Sequence, residues 1–287
     1  MKIIVADKTG FCWGVQRAVN MALDAAHEHG QITVLGDLIH SRAVTERLEQ
    51  QGARTVGSPE QIQQGPVLIR AHGIPPQVRR QVQDKGLRVL DGTCPFVGRV
   101  QREAQRLERD GRQIIIIGKA GHPEVVGVLG YTRAGIVLRS EQEIDRLPDY
   151  EKVGVVAQTT EDRELFVRLC ERIRKRFPDT VVCDTICNAT NDRQEAARHL
   201  AAEVDLMLVV GDRHSSNTRN LADICRSLTA THHVASADEI QCSWLKGVDS
   251  IGIAAGASTP DWVIEAVIER LRELAPGAGH GDVTVIR

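Results

Sequence analysis

Cys12, Cys94 and Cys187 occupy the same local setting at widely separated points of the chain. Each follows a short apolar run that reads as a strand (Lys2 to Ala6, Arg88 to Leu90, Thr180 to Cys183), and each precedes an amphipathic helical pattern. Cys12 and Cys94 share a Cys-x-x-Val-x-Arg pattern, through Val15 with Arg17 and Val97 with Arg99; Cys187 is a looser copy with Thr190 and Arg193. Such separations rule out a local zinc knuckle or a Cys-x-x-Cys redox turn. Three similar units packed about a centre would bring three thiolates together, a cluster site with one ligand missing. A helix N-terminus also favours the thiolate, the form that binds metal. Taken singly, each of the three reads better as a small buried hydrophobe, and their shared position at a strand-to-helix turn is what changes the weighing. That second reading suits Cys170 and Cys225, inside helical periods, and Cys183, within a strand; Cys242 lies in a polar connection.

The other chemistry-bearing residues fall at the ends of strands. The segments Leu35 to His40, Arg70 to Gly73, Gly118 to Glu124, Ala157 to Thr160, Gly211 to Asn217 and Ala255 to Pro260 combine small residues with hydrogen-bonding side chains. In open α/β sheets this is where ligands bind. Ser215-Ser216-Asn217 and Ser258-Thr259-Pro260 each open a helix, where free N–H groups and the dipole attract anions. One such end alone is best read as an N-cap. Two of them beside His40, His72 and His122 point to an anion pocket. His122-Pro123-Glu124 supplies an acid–base pair, Glu124 being placed to deliver a proton or simply to favour a helix's first turn. His214 adjoins the serine pair; His27, His29, His199, His232 and His233 read as surface residues in polar or helical stretches. Neither a P-loop nor a Gly-x-Gly-x-x-Gly fingerprint occurs, so ATP and NAD have little support.

Strand–helix alternation is what must position these groups. Apolar runs recur at Ile32 to Leu35, Val67 to Arg70, Gln113 to Gly118, Gly135 to Leu138, Val153 to Ala157, Leu206 to Gly211 and Ser250 to Ala254. Helical patterns separate them, among them Val15 to Ala26, Val97 to Arg109, Glu161 to Arg176, Arg193 to Ala202 and Pro260 to Leu274. The pattern predicts an α/β fold of parallel sheets covered by helices. With 42% hydrophobic and 3% aromatic residues, the cores must be aliphatic. A formal net charge of −2 without a basic stripe argues against nucleic acid, and no run is long enough to cross a bilayer. Met1 leads straight into a strand, so a cytoplasmic location is expected. There thiols stay reduced, and the seven cysteines are ligands, nucleophiles or core.

Gly10-Phe-Cys12-x-Gly14-Val15, Ala71-His72-Gly73, Thr93-Cys94-Pro95, Gly121-His122-Pro123-Glu124, Gln158-Thr159-Thr160, Asp184-Thr185-Ile-Cys187-x-Ala-Thr190, Ser215-Ser216-Asn217 and Gly256-Ala257-Ser258 resemble, in order, the LytB family of 4-hydroxy-3-methylbut-2-enyl diphosphate reductases. The resemblance implies three similar α/β domains in a trefoil around a central iron–sulfur cluster: residues 13–94, 95–186, and 187–280 together with 1–12, then a tail of 281–287. It implies one [4Fe–4S] cluster per chain, held by Cys12, Cys94 and Cys187, with one iron left open as a Lewis acid toward the substrate's allylic hydroxyl. By the same resemblance Glu124 relays protons with Thr159 or Thr160 in its network. His40, His72, His122, Ser215, Ser216, Asn217 and Ser258 hold the diphosphate. Electrons come from a ferredoxin- or flavodoxin-like partner. The implied reaction is the last step of the methylerythritol phosphate route to isoprenoid precursors. The chain departs from the family pattern at Trp13, Ser41 and Asp192, none of which removes a ligand.

Two other classes compete. A zinc hydrolase using His40, His72, His122 and Glu124 would be colourless and need no reductant. A non-catalytic iron–sulfur sensor would be coloured and turn nothing over.

Overall fold

The computed structural model describes residues 1–274 and 284–286. The first third of the chain forms β1 (Lys2–Val5), α1 (Trp13–His29), β2 (Ile32–Leu35), α2 (Arg42–Gln50), β3 (Ala53–Val56), β4 (Val67–Ile69), α3 (Pro76–Gln83) and β5 (Val89–Asp91). Next come α4 (Pro95–Arg109), β6 (Gln113–Ile117), α5 (Pro123–Leu129), β7 (Ile136–Leu138), α6 (Glu141–Asp145), β8 (Val153–Ala157), α7 (Arg163–Arg176) and β9 (Thr180–Val182). The remainder forms α8 (Asn188–Ala201), β10 (Leu206–Val210), α9 (Ser216–Arg226), β11 (Ala230–Val234), β12 (Ser250–Ala255), α10 (Asp261–Leu274) and β13 (Thr284–Ile286).

These strands form three sheets, ordered β3-β2-β4-β5, β7-β6-β8-β9 and β11-β10-β12-β1-β13. Every pairing is parallel. The expected α/β class with three similar sheets is therefore what the chain adopts. Each sheet repeats one pattern: the first strand of a quartet lies between the second and the third, and the fourth lies beyond the third. In the last sheet β1 takes that fourth place, so the quartet is closed by the first strand of the chain. Within the tail, β13 pairs with β1 at the edge of the third sheet. The Pro- and Gly-rich stretch 276–281 lies outside the described residues.

The chain divides into two compact units. One comprises Gly14–Ile39 and Ala43–Cys187 and carries the first two sheets; the other comprises Met1–Trp13, His40–Arg42 and the residues from Asn188 on, and carries the third. Both faces of a parallel sheet are buried, which explains the near-continuous apolar strands. In the third sheet Ile3, Leu206, Leu208, Ile251 and Ile253 pack on one face against Ile264, Val267 and Leu271 of α10. On the other, Met207, Val209 and Ala254 meet Ala197, Leu200 and Leu221. The second sheet is sandwiched likewise, by Phe166, Leu169 and Ile173 on one side and Val100, Ala104 and Leu107 on the other.

Among the described residues no helix is long and apolar enough to cross a membrane. Two histidines depart from the sequence reading. His232 and His233 lie on β11 rather than in a surface stretch, because a strand at a sheet edge tolerates polar residues. The His232 ring stacks on Trp244 at 3.7 Å, and His233 Nε2 lies 2.9 Å from the Gly211 carbonyl.

Candidate active site

The sheet repeat places the cysteines at equivalent points. Cys94 follows β5, Cys187 follows β9 and Cys12 follows β1, the fourth strand of each quartet. Each cysteine N–H donates to the carbonyl two residues beyond the third strand: Cys94 to Ala71 at 2.9 Å, Cys187 to Thr159 at 3.0 Å and Cys12 to Ala257 at 3.1 Å. Each lies directly before or at the cap of a helix: α1, α4 or α8. All three thiols are half-buried, whereas Cys170 and Cys225 are buried. Burial pushes the thiols of Cys170 and Cys225 up to about 12, which keeps them protonated and inert. Cys242 is exposed, and the Cys183 thiol lies between Glu103 and Arg106, 3.4 Å from each. Gly14 belongs to the same setting: a Cβ there would lie 2.6 Å from Cys94 Sγ, so only glycine leaves that sulfur its place. Reduced, accessible sulfur at helix starts, with backbone cleared around one of them, fits the donor set of an iron–sulfur cluster.

The loops after the first strand of each quartet repeat as well. The fifth residue beyond β2, β6 and β10 is His40, His122 and Ser215 respectively. The third residue beyond β4, β8 and β12 is His72, Thr160 and Ser258. One equivalence thus generates six of the polar residues singled out from sequence. The signal was present in the strand-end offsets, but it becomes visible only once the strand order shows which loops correspond.

In the unit carrying the first two sheets, Glu124 is the buried acid, only 2% exposed on the first turn of α5. The Thr159 N–H donates to Glu124 Oε1 at 2.6 Å, and the Thr159 hydroxyl donates to Oε2 at 2.8 Å. Both bonds favour the carboxylate, yet burial outweighs them and pushes the group up to about 7, with Glu161's like charge adding to the effect. The neighbouring Thr160 hydroxyl accepts from Gln158 Nε2 at 2.9 Å. His122 caps α5, and its Nδ1 accepts the Glu124 N–H at 3.2 Å, which places the ring proton on Nε2. The His72 ring lies edge-on to His122, centroids 5.4 Å apart. Because both Glu124 oxygens are held by Thr159, that carboxylate is a poor candidate for a zinc ligand.

In the other unit, Ser215 caps α9 by accepting the Thr218 N–H, and Ser216 and Asn217 sit buried in the first helical turn. Both polar atoms of the Asn217 amide are buried without a hydrogen-bond partner. An orphaned amide at a helix N-terminus is a costly arrangement in a bare protein. It becomes sensible when a polar ligand arrives. The Ser258 hydroxyl donates to the His40 carbonyl at 3.0 Å, joining two of the predicted contacts. Gly211 and Gly256 leave room for threonine hydroxyls: a Cβ at Gly211 would meet Thr259 Oγ1 at 2.4 Å, and one at Gly256 would meet Thr218 Oγ1 at 2.1 Å. His214 is exposed, and its backbone N–H binds Asp212.

A family model for LytB protein matches residues 3–272. This chain belongs to the LytB family. Among its relatives is the 4-hydroxy-3-methylbut-2-enyl diphosphate reductase of Syntrophotalea carbinolica, 42% identical over 96% of this chain and 100% of that one. The enzyme of the same name from Aquifex aeolicus is 42% identical over 96% of this chain and 97% of its own. A solved (E)-4-hydroxy-3-methyl-but-2-enyl diphosphate reductase, described as the terminal enzyme of the non-mevalonate pathway, matches with 41% identity and a TM-score of 0.69, covering 95% of this LytB chain and 99% of that one. The Plasmodium falciparum reductase matches with 26% identity and a TM-score of 0.93, over 100% and 91% of the two chains.

Proposed function

We propose that this LytB protein is a 4-hydroxy-3-methylbut-2-enyl diphosphate reductase. It converts the (E)-allylic alcohol diphosphate to isopentenyl and dimethylallyl diphosphate, with two electrons and two protons consumed and the oxygen leaving as water. The observation that carries this reading is the threefold equivalence of Cys12, Cys94 and Cys187, each fixed by the same backbone hydrogen bond. We assign these three as the ligands of one [4Fe–4S] cluster. When bound, the cluster supplies single electrons and an iron with a free position that acts as a Lewis acid.

The protein's own groups divide the remaining work. Glu124, held near neutrality, delivers a proton at its carboxyl oxygen, and Thr159 orients it. The anionic end of the substrate is held by His40, His72 and His122, by Ser215, Ser216 and Asn217 at the start of α9, and by Ser258. Asn217's unpartnered amide supports that assignment. The electrons are supplied by a ferredoxin- or flavodoxin-like donor in the cytoplasm.

The experiment is anaerobic turnover of the allylic diphosphate with a one-electron donor, alongside iron and sulfide analysis. A brown protein that forms both products bears the proposal out. A colourless protein that hydrolyses a substrate without reductant would install the zinc reading instead, and a coloured protein without turnover would install the sensor.

A further inference from the structure

The three quartets repeat the turn that follows their third strand, and the quartet that carries Glu124 locks it with a buried carboxylate–arginine pair. Glu161, the fourth residue beyond β8, is 2% exposed. Its carboxylate accepts from Arg139 Nη2 at 2.9 Å and from Arg139 Nε at 3.1 and 3.2 Å, and from the Asp162 N–H at 2.9 Å. Arg139 is the first residue beyond β7. The equivalents of Glu161 after β4 and β12 are Gly73 and Thr259; the equivalents of Arg139 after β3 and β11 are Gly57 and Ala235. The scaffold role of Arg139's backbone is shared by all three: Gly57, Arg139 and Ala235 each donate an N–H to the side chain of Gln61, Glu143 and Glu239 respectively. The side-chain pair is an addition to that scaffold, present only in the quartet that carries Glu124.

Its location supplies a reason. Glu161 closes the turn Gln158-Thr159-Thr160-Glu161 by donating its N–H to the Gln158 carbonyl at 3.0 Å, and Thr159 in that turn grips Glu124 through two hydrogen bonds. A buried carboxylate without its arginine would be strongly unfavourable, so the pair survives only where something gains from it. We propose that Arg139 and Glu161 form a positioning pair for Glu124, holding the Thr159 turn in place and presenting a shielded negative charge to the proton-donating carboxyl. It rests on the role assigned to Glu124. The like charge of Glu161 reinforces burial in keeping Glu124 protonated near neutrality. Among the described residues, further titratable groups on this side are His122, whose Nδ1 accepts the Glu124 N–H, and His72, edge-on to His122.

The test is an infrared pH titration of the full-length protein, following the protonated-carboxyl band that Glu124→Gln removes. Glu161→Gln is expected to lower the midpoint by about one unit, and Arg139→Met, which leaves the buried Glu161 without its cation, to bring a second protonated carboxyl into the band instead of lowering the Glu124 midpoint. Arg139→Lys, which keeps the charge and loses the fork, stays near the wild-type midpoint. A purely structural pair would loosen the turn and wet Glu124 in both neutralising variants, moving both midpoints down. That outcome, or no movement in either, overturns the proposal. The titration needs no turnover. Failure of the wild-type protein to reduce the allylic diphosphate therefore defeats the functional reading alone, while the midpoints still decide the pairing.

Discussion

Thr159 joins Glu124 to Cys187: its N–H and hydroxyl bind the two Glu124 oxygens, and its carbonyl accepts the Cys187 N–H at 3.0 Å. A proposed proton donor and a proposed cluster ligand are thus registered against one residue at the end of β8. The two are linked through a single residue rather than a flexible loop.

The buried Glu124 gives a pH signature. Its carboxyl is raised from an ordinary value of 4.5 to about 7, so the protonated donor exists below that pH and is lost above it. Turnover is expected to fall as pH rises through about 7. Stability has the same sign: the raised carboxyl favours folding fully below 4.5, and that contribution is lost between 4.5 and about 7. Glu124→Gln should lower turnover by roughly 100-fold or more. Its melting temperature should gain on wild type across that interval, measured by parallel thermal scans at stepped pH. A constant difference between the two curves would remove the buried titration.

Cysteine substitutions separate ligands from core. Cys94→Ser should lose most of its iron while melting near wild type. Cys225→Ser should keep its iron and lose about 1–3 kcal/mol, because a hydroxyl replaces a fully buried thiol. Iron analysis with urea unfolding checks both, and full iron content in Cys94→Ser would delete that residue from the ligand set.

Gly14→Ala makes a geometric prediction. The added Cβ falls 2.6 Å from Cys94 Sγ, closer than such atoms approach, so the sulfur must shift. Cluster loading should drop even though no ligand has been changed. Undiminished loading would show that Cys94 has slack.

Asn217→Ala should raise the KM for the diphosphate about tenfold or more without lowering the melting temperature. The reason is asymmetry: the amide's buried polar atoms have no partner in the protein, so truncation removes an unfavourable burial while depriving the substrate of its contacts. A melting temperature lowered by several degrees with KM unmoved would make Asn217 a structural residue.

The parallel-sheet strands were legible because both their faces are buried and they read as unbroken apolar runs, as in Ile114 to Ile117. The short helices α2 and α3 were not, since Arg42–Gln50 and Pro76–Gln83 are dominated by polar and charged residues and bury only one or two positions each. Strand β11 hid for a similar reason, with Thr231, His232 and His233 in its middle. Glu124 and the cysteines could be named from local pattern, and so could Thr159. That the Thr159 hydroxyl reaches Glu124 while the Thr160 hydroxyl meets Gln158 required coordinates, because adjacent residues in a turn point in different directions. The Arg139–Glu161 pair had no local signature at all; it joins the loops after β7 and β8, strands that lie on either side of β6.

The placement of β1 between β12 and β13 has a consequence for biogenesis. Residues Lys2–Val5 are synthesised long before Ser250–Ala255 and find those hydrogen-bonding partners only once that segment has been made. Cys12, whose N–H is anchored on the Ala257 carbonyl, therefore stays unanchored until that later segment has been made, whereas Cys94 and Cys187 can be set as soon as their own sheets close. On the proposed ligand assignment, loading of an inorganic centre is in this way deferred until the segment that anchors Cys12 has joined the sheet.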